Sequence, residues 1–358
     1  MRKFSILLGL AAALSLDAQA QTTKETALKK AQDAIKRMDE GLLPQSIKLL
    51  EEASQLDPTN YHYPYELALA HYLNKEYSTA IDLLEPLLSR PEASDRTFQL
   101  LGNSYDLAGN RTKGIATYEQ GLAKFPASGP LHLELGNLQA AQKNYLPALA
   151  YYEEGIALAP AFASNYYQAA KIYLSSNNEF WGMIYGELFM NLERNSSRTA
   201  EMSKLIYDTY KREITFPDEN SAAVSFGQAV MDASTIGKGK KPKLPYSIAY
   251  ESTLAVAVAS EKAINLASLN NIRSNFIGAY YSMKQDATYP NILFDYQQQI
   301  ARAGHAEAYN YWLLMKGDET GFDLWHKNNP EKWRAFASWY EKNQLALDAK
   351  HKFYRTQY

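Results

Sequence analysis

The sequence predicts an all-α protein in two parts: an α-solenoid of about five helix–turn–helix repeats, then an all-helical C-terminal domain. Three observations carry that reading. Small residues recur at an interval of thirty-four residues, and prolines close most of the intervals. No run of alternating apolar and polar residues reads as strands.

The units begin at Ala27, Tyr61, Asp95, Gly129 and Ala163. Their eighth position is Ala34, Ala68, Gly102, Gly136 and Ala170; their twentieth is Ser46, Ala80, Gly114, Ala148 and Gly182. These are the points where the two helices of a unit cross, and a bulky side chain there would push the axes beyond contact distance. Proline stands at position thirty-two as Pro58, Pro126 and Pro160, and one residue early as Pro91. It cannot continue a helix, so it stops the second one. Position twenty-seven faces the next unit, and Ala53, Gly121 and Gly155 permit close stacking. Leu87 and Phe189 stand there in units two and five, and Pro86 interrupts the second helix of unit two, so stacking is expected to loosen after both.

This skeleton resembles the tetratricopeptide repeat family. Its pattern also asks for Leu at seven and aromatics at eleven, seventeen and twenty-four. Unit three supplies Phe98, Leu101, Tyr105 and Tyr118; unit four supplies Leu135, Tyr145 and Tyr152; unit two keeps Leu67, Tyr77 and Leu84. Unit one departs, with Lys30 and Asp33 at positions four and seven, as a terminal unit often does. The resemblance implies a concave groove lined by positions two, five, nine, twelve and thirteen of each first helix. On this chain those are His62, Tyr65, Leu69 and Tyr72, then Arg96, Gln99, Asn103 and Asp106. Unit four adds Leu133, Asn137 and Ala140, and unit five adds Ser164, Tyr167 and Lys171. Rigid tyrosines beside amides suit a protein or peptide partner. The family's clamp for acidic chaperone tails is absent. Of Gln99, Asn103, Glu134, Ser164 and Gln168 only Asn103 fits it, and Glu134 would repel a carboxylate.

From the N-terminus, Arg2 and Lys3, the apolar run Ile6 to Leu16 and Ala18-Gln19-Ala20 read as a signal peptide cleaved after Ala20. The run is too short to span a bilayer, and no later stretch is long and apolar enough. The expectation is export to the periplasm or the exterior, without a transmembrane segment in the mature chain. There is no cysteine, which excludes disulfides, thiolate metal sites and a lipid-modified N-terminal cysteine. The net charge is −2, and −3 once the leader's Arg2, Lys3 and Asp17 are gone; so slight a balance gives no basic field for nucleic acid.

The repeats are expected over 21–195. Gly41 and Gly109 make inner turns, Pro44 sits in a first turn where a missing N–H costs nothing, and Lys75 and Lys143 are tolerable in the same turn if φ stays negative. Glu179 to Glu193 is apolar over more than one stripe and predicts burial on two sides. The repeat phase is lost from Ser196, and the C-terminal domain is expected over 196–358. Helical spacing recurs through Met202 to Tyr210, near Ala222 to Met231, and at Thr253 to Ser268 and Ile272 to Met283. It returns after Pro290, at Ala306 to Met315, and from Asn329-Pro330 onward. Gly237 to Pro245 reads as a loop whose lysines offer an anion or acidic-protein contact.

Catalytic material is poor. The six histidines show no metal-ligand spacing, there is no GxSxG elbow, and Gly237 to Lys241 lacks Walker spacing. His71 and His132 occupy repeat positions where aromatics pack. Trp333, Phe336 and Trp339 follow helical spacing and read as core, and Trp325 reads as exposed; a glycan-binding alternative would use the C-terminal aromatics, Trp312 among them. The chain is therefore read as a non-catalytic binding scaffold without metal or cofactor, an enzyme site in the C-terminal domain being the other alternative.

Overall fold

The computed structural model describes residues 2–218, 221–227 and 244–358, and of 2–20 the backbone alone. Contacts divide the chain into two compact units, Met1–Leu135 and Gly136–Tyr358.

In the first unit, α1 (Arg2–Asp39) packs on α2 (Leu43–Leu56), α3 (His62–Leu73) on α4 (Tyr77–Leu84), and α5 (Asp95–Leu107) on α6 (Arg111–Lys124). Each pair meets over small residues. Ala34, Ser46, Ala68 and Ala80 are fully buried, and so are the Gly102 and Gly114 crossings. A Cβ on Gly102 would stand 2.2 Å from the Tyr118 ring, and one on Gly114 3.0 Å from the Gly102 carbonyl. A Cβ on Gly121 would meet Leu131 and Phe98 at 2.7 and 2.8 Å, so position twenty-seven also sets how closely units stack. Pro86 ends α4 early: the helix stops at Leu84 and a 3-10 turn, Glu85–Ser89, follows.

The inner turns differ from expectation. Lys75 and Lys143 both adopt φ 63°, the left-handed conformation of Gly41 (76°) and Gly109 (86°). The turn fixes φ by its place in the repeat, and lysine takes it at a steric cost. The leader reading falls on residues 1–20, whose side chains lie outside the described residues. Among the described residues no helix is long and apolar enough to cross a membrane.

α7 (Gly129–Ala141) carries the last residues of the first unit and the first of the second. In the second unit, α8 (Tyr145–Leu158) brings Tyr152 to within 2.3 Å of where a Gly136 Cβ would lie. α9 (Ala163–Leu174) and α10 (Glu179–Leu192) cross at Gly182, where a Cβ would stand 2.7 Å from the Leu174 backbone nitrogen. Every residue from Phe180 to Asn191 is buried, as its several apolar stripes predict. α11 (Ser197–Glu213) covers one side of α10, with Met202 and Ile206 packed against Gly186.

Three expectations for the C-terminal part are corrected. β1 (Ile214–Asp218) and β2 (Ser221–Val224) form an antiparallel hairpin, pairing Ile214 with Val224 and Thr215 with Ala223. So Ala222 to Val224 is strand instead of helix; Pro217 denies the backbone a helical continuation there. The rest of that segment, 228–231, lies outside the described residues, as do Lys238, Lys240, Lys241 and Lys243. The helix placed at Thr253–Ser268 is two helices, α12 (Tyr246–Val258) and α13 (Leu266–Ser282). Asn265 separates them, its side chain accepting from the Ser268 N–H at 3.0 Å to cap α13. α14 (Ile292–Arg302), α15 (Ala306–Leu314), α16 (Glu319–Asn328) and α17 (Pro330–Lys342) follow, α16 being unforeseen. Asn329 does precede α17, but its side chain donates back to the Trp325 carbonyl at 2.9 Å and makes no cap.

Candidate binding face of the repeats

In the first unit, α3 and α5 carry eight of the expected groove residues. His62 and Arg96 are exposed, while Tyr65, Leu69, Tyr72, Gln99, Asn103 and Asp106 are half-buried. The Tyr65 ring stacks on Tyr61 with centroids 6.3 Å apart, and burial pushes its phenol up to about 12. Asn103 Oδ1 accepts from the Tyr118 hydroxyl at 2.5 Å, and Gln99 Nε2 donates to Glu134 at 2.8 Å. Burial, then the Glu134 charge, raises the phenols of both Tyr72 and Tyr118, so each stays a neutral hydroxyl. Asp106 accepts from Arg111 at 2.9 Å. These residues lie together on α3, α5, α6 and α7 because each occupies a fixed position of its repeat.

In the second unit the same pairing recurs. The Tyr152 hydroxyl donates to Asn137 Oδ1 at 2.9 Å, one repeat length after the Tyr118–Asn103 bond. Tyrosine at position twenty-four thus orients asparagine at position nine. The sequence reading placed both residue types but missed the bond between them; their constant separation was the available signal.

Unit five departs from expectation. Tyr167 is only 6% exposed, its ring centroid 4.9 Å from that of Phe189, and its hydroxyl donates to Glu201 of α11. Lys171 pairs with Glu201 at 2.9 Å, and Arg198 donates to the Ser164 hydroxyl at 3.0 Å. α11 begins one repeat length after α9 and takes the place of the next unit's first helix. Tyr167 is therefore buried against α11, while Ser164 and the partly exposed Lys171 pair with its side chains.

The small residue buried at each crossing, the proline or cap closing each pair and the left-handed inner turn together define the repeat. These helical pairs have a tetratricopeptide-repeat-like fold. No family model matches the chain. No curated protein matches it. Among solved structures, the chain is similar over 53% of its length to 86% of PilF from Pseudomonas aeruginosa, at 16% identity and TM-score 0.44. A thermophilic TPR protein of Thermus thermophilus aligns over 50% of this chain and 98% of its own, at 15% identity and TM-score 0.43. PilW, a type IV pilus biogenesis factor, aligns over 52% of this chain and 84% of its own, at 20% identity and TM-score 0.42. The repeat-like character of these pairs rests on the packing at their crossings, not on those likenesses.

Within the second unit, two buried carboxylates are closed by arginine and tyrosine. Glu187 Oε1 accepts from Arg273 at 2.6 Å, Gln297 at 2.5 Å and Tyr309 at 2.8 Å; Arg273 also donates to Asn310 and Tyr210. Burial works against the Arg273 charge, but Glu187 outweighs it and holds the guanidinium protonated. The cavities along this network hold about 20 and 50 Å³, room for water and little else. Glu153 accepts from Tyr173 at 2.8 Å and from Arg355 at 2.7 Å. Such groups specify packing. Among the described residues no cluster of three or more His, Asp or Glu is arranged to hold a metal. Trp325 is buried, contrary to expectation: only 7% exposed, it stacks on Tyr311 at 4.4 Å and donates to Glu307 at 2.9 Å.

Proposed function

We propose that this chain is a non-catalytic scaffold of the cell envelope that holds an extended segment of a protein partner against the first helices of its repeats. The observation that supports this reading is the recurring tyrosine-to-asparagine bond. With Oδ1 of Asn103 and Asn137 engaged by Tyr118 and Tyr152, each amide is held in one orientation by a rigid phenol. An oriented amide matches the donors and acceptors of a peptide backbone, and the half-buried Tyr65 and Tyr72 supply side-chain contact at low entropic cost. The leader read at 1–20 supports an envelope or extracellular location.

The test is site-specific photo-crosslinking in cells, with the crosslinker at Arg96 in the first unit, at Ala141 in the second, and at Glu119 on the exposed side of α6. Arg96 and Ala141 should capture a discrete protein that Glu119 does not, and Asn103→Ala or Asn137→Ala should reduce the respective yield about tenfold. Equal capture from Glu119, or yields indifferent to both asparagines, contradicts the reading.

A further inference from the structure

Beyond α17 the chain runs on irregularly, its one regular element being the 3-10 turn Arg355–Gln357. Its backbone-to-backbone bonds are local. The Asp348 N–H donates to the His351 carbonyl at 3.0 Å, and the Gln357 N–H to that of Tyr354 at 3.2 Å. Asp348 to His351 is exposed throughout, and Asp348 Oδ1 closes its own turn by accepting from the Lys350 and His351 N–H groups at 2.8 Å. After this exposed stretch, side chains tie the segment to the second unit. The Phe353 ring is fully buried, its centroid 5.9 Å from that of Trp181 and 6.0 Å from that of Tyr246. Arg355 forks onto Glu153 of α8, Nε donating to Oε1 at 2.9 Å and Nη2 to Oε2 at 2.7 Å. Lys352 Nζ adds a bond to the Ala157 carbonyl at 2.7 Å, and the Arg355 N–H one to the Tyr185 hydroxyl at 2.8 Å.

Glu153 is itself buried and also accepts from the Tyr173 and Tyr185 hydroxyls, at 2.8 and 3.2 Å. Both phenols stand on packed helices, so they orient the carboxylate whether or not Arg355 is there. The seat is an aromatic pocket beside an oriented carboxylate, and the tail fills it as a bound peptide would. The Glu187–Arg273 pair makes the contrast. There both partners are buried on helices; here the guanidinium comes from an irregular segment and is half-exposed. We propose that this seat is a peptide-binding site for an aromatic–x–arginine sequence, filled in cis by Phe353-Tyr354-Arg355 and open to a partner segment carrying the same pair. Tethering holds the tail at an effective concentration in the millimolar range, which makes it an autoinhibitory strap. One ring and one guanidinium concentrate the binding energy, and detaching them costs less than unfolding the helices beneath. This site stands apart from the repeat face and does not depend on the scaffold reading.

The full chain carrying Phe353→Ala and Arg355→Ala together vacates the seat. A fluorescein-labelled peptide of residues 350–358 should bind this variant saturably by anisotropy, about tenfold or more tighter than it binds the wild-type chain. The same peptide with Arg355→Ala should bind about tenfold more weakly. Adding Glu153→Gln to the chain should weaken the unaltered peptide about tenfold and abolish the preference for arginine. No binding by a double variant that keeps its helical circular dichroism, equal binding to the wild-type chain, or indifference to Glu153→Gln overturns the proposal. If the double variant loses its helices, hydrogen exchange on the wild-type chain decides. The Arg355 N–H should exchange about tenfold or more faster than the amides of α10, through an opening confined to the strap. Exchange of both at one rate would make the strap an inseparable part of the fold and overturn the proposal.

Discussion

Around Gly102 in the first unit two helices meet over bare backbone, whereas around Glu187 in the second they meet over charge. At the first place the Tyr118 ring fills the space a Cβ would need, and no polar side chain is required. At the second, Glu187, Arg273, Gln297 and Tyr309 satisfy one another out of water. The difference teaches where specificity comes from. A repeat contact is set by the absence of a side chain and is copied from unit to unit. The interior of the second unit is set by complementary partners that occur once. The repeats should therefore respond to added volume, and the C-terminal interior to lost partners.

The largest expected effect comes from breaking the charge pair. Arg273→Ala leaves Glu187 buried without its guanidinium and should destabilise the second unit by about 3–5 kcal/mol in denaturant melts. Replacing Arg273 and Glu187 together by methionine should recover much of that loss. A single substitution as mild as the double one would mean that the pair does not define this interior.

Added volume at a crossing comes next. Gly102→Ala should cost roughly 1–3 kcal/mol, because Tyr118 is itself buried and cannot swing aside. Gly278→Ala supplies the contrast: that glycine is helical and exposed, with nothing within 4 Å of a new Cβ. It should stabilise by about 0.5–1 kcal/mol. Thermal melts that rank the two the other way would dissolve the comparison. The smallest effect belongs to the inner turns, where Lys75→Gly and Lys143→Gly should each gain up to about 1 kcal/mol by releasing a left-handed lysine. A loss at either position would show that the lysine side chain contributes more than its backbone costs.

The legible parts follow the same division. Gly102, Gly114, Gly136 and Gly182 could be placed at helix crossings from sequence because a fixed interval encodes them. Asn103 and Asn137 could be placed on first helices for the same reason, though not their bonds to Tyr118 and Tyr152. The turn at Lys75 and Lys143 was misjudged from residue type, although Gly41 and Gly109 at the same repeat position carried the signal. The cover that α11 lays over Tyr167 and Lys171 was not legible, since it depends on Glu201 and Arg198 meeting them in space. Trp325 misled because its burial depends on Tyr311 and Glu307, which no periodicity connects to it. Glu153 and Arg355 lie still farther apart in sequence, and only the folded chain pairs them.

Gly182 offers the most direct trial of packing over bare backbone, because a Cβ there would press on the Leu174 backbone nitrogen, which cannot rotate away as a side chain can. Hydrogen exchange on Gly182→Ala should show α9 and α10 losing amide protection while α1 to α6 keep theirs. Wild-type protection throughout α9 and α10 would contradict the claim that missing side chains set these crossings.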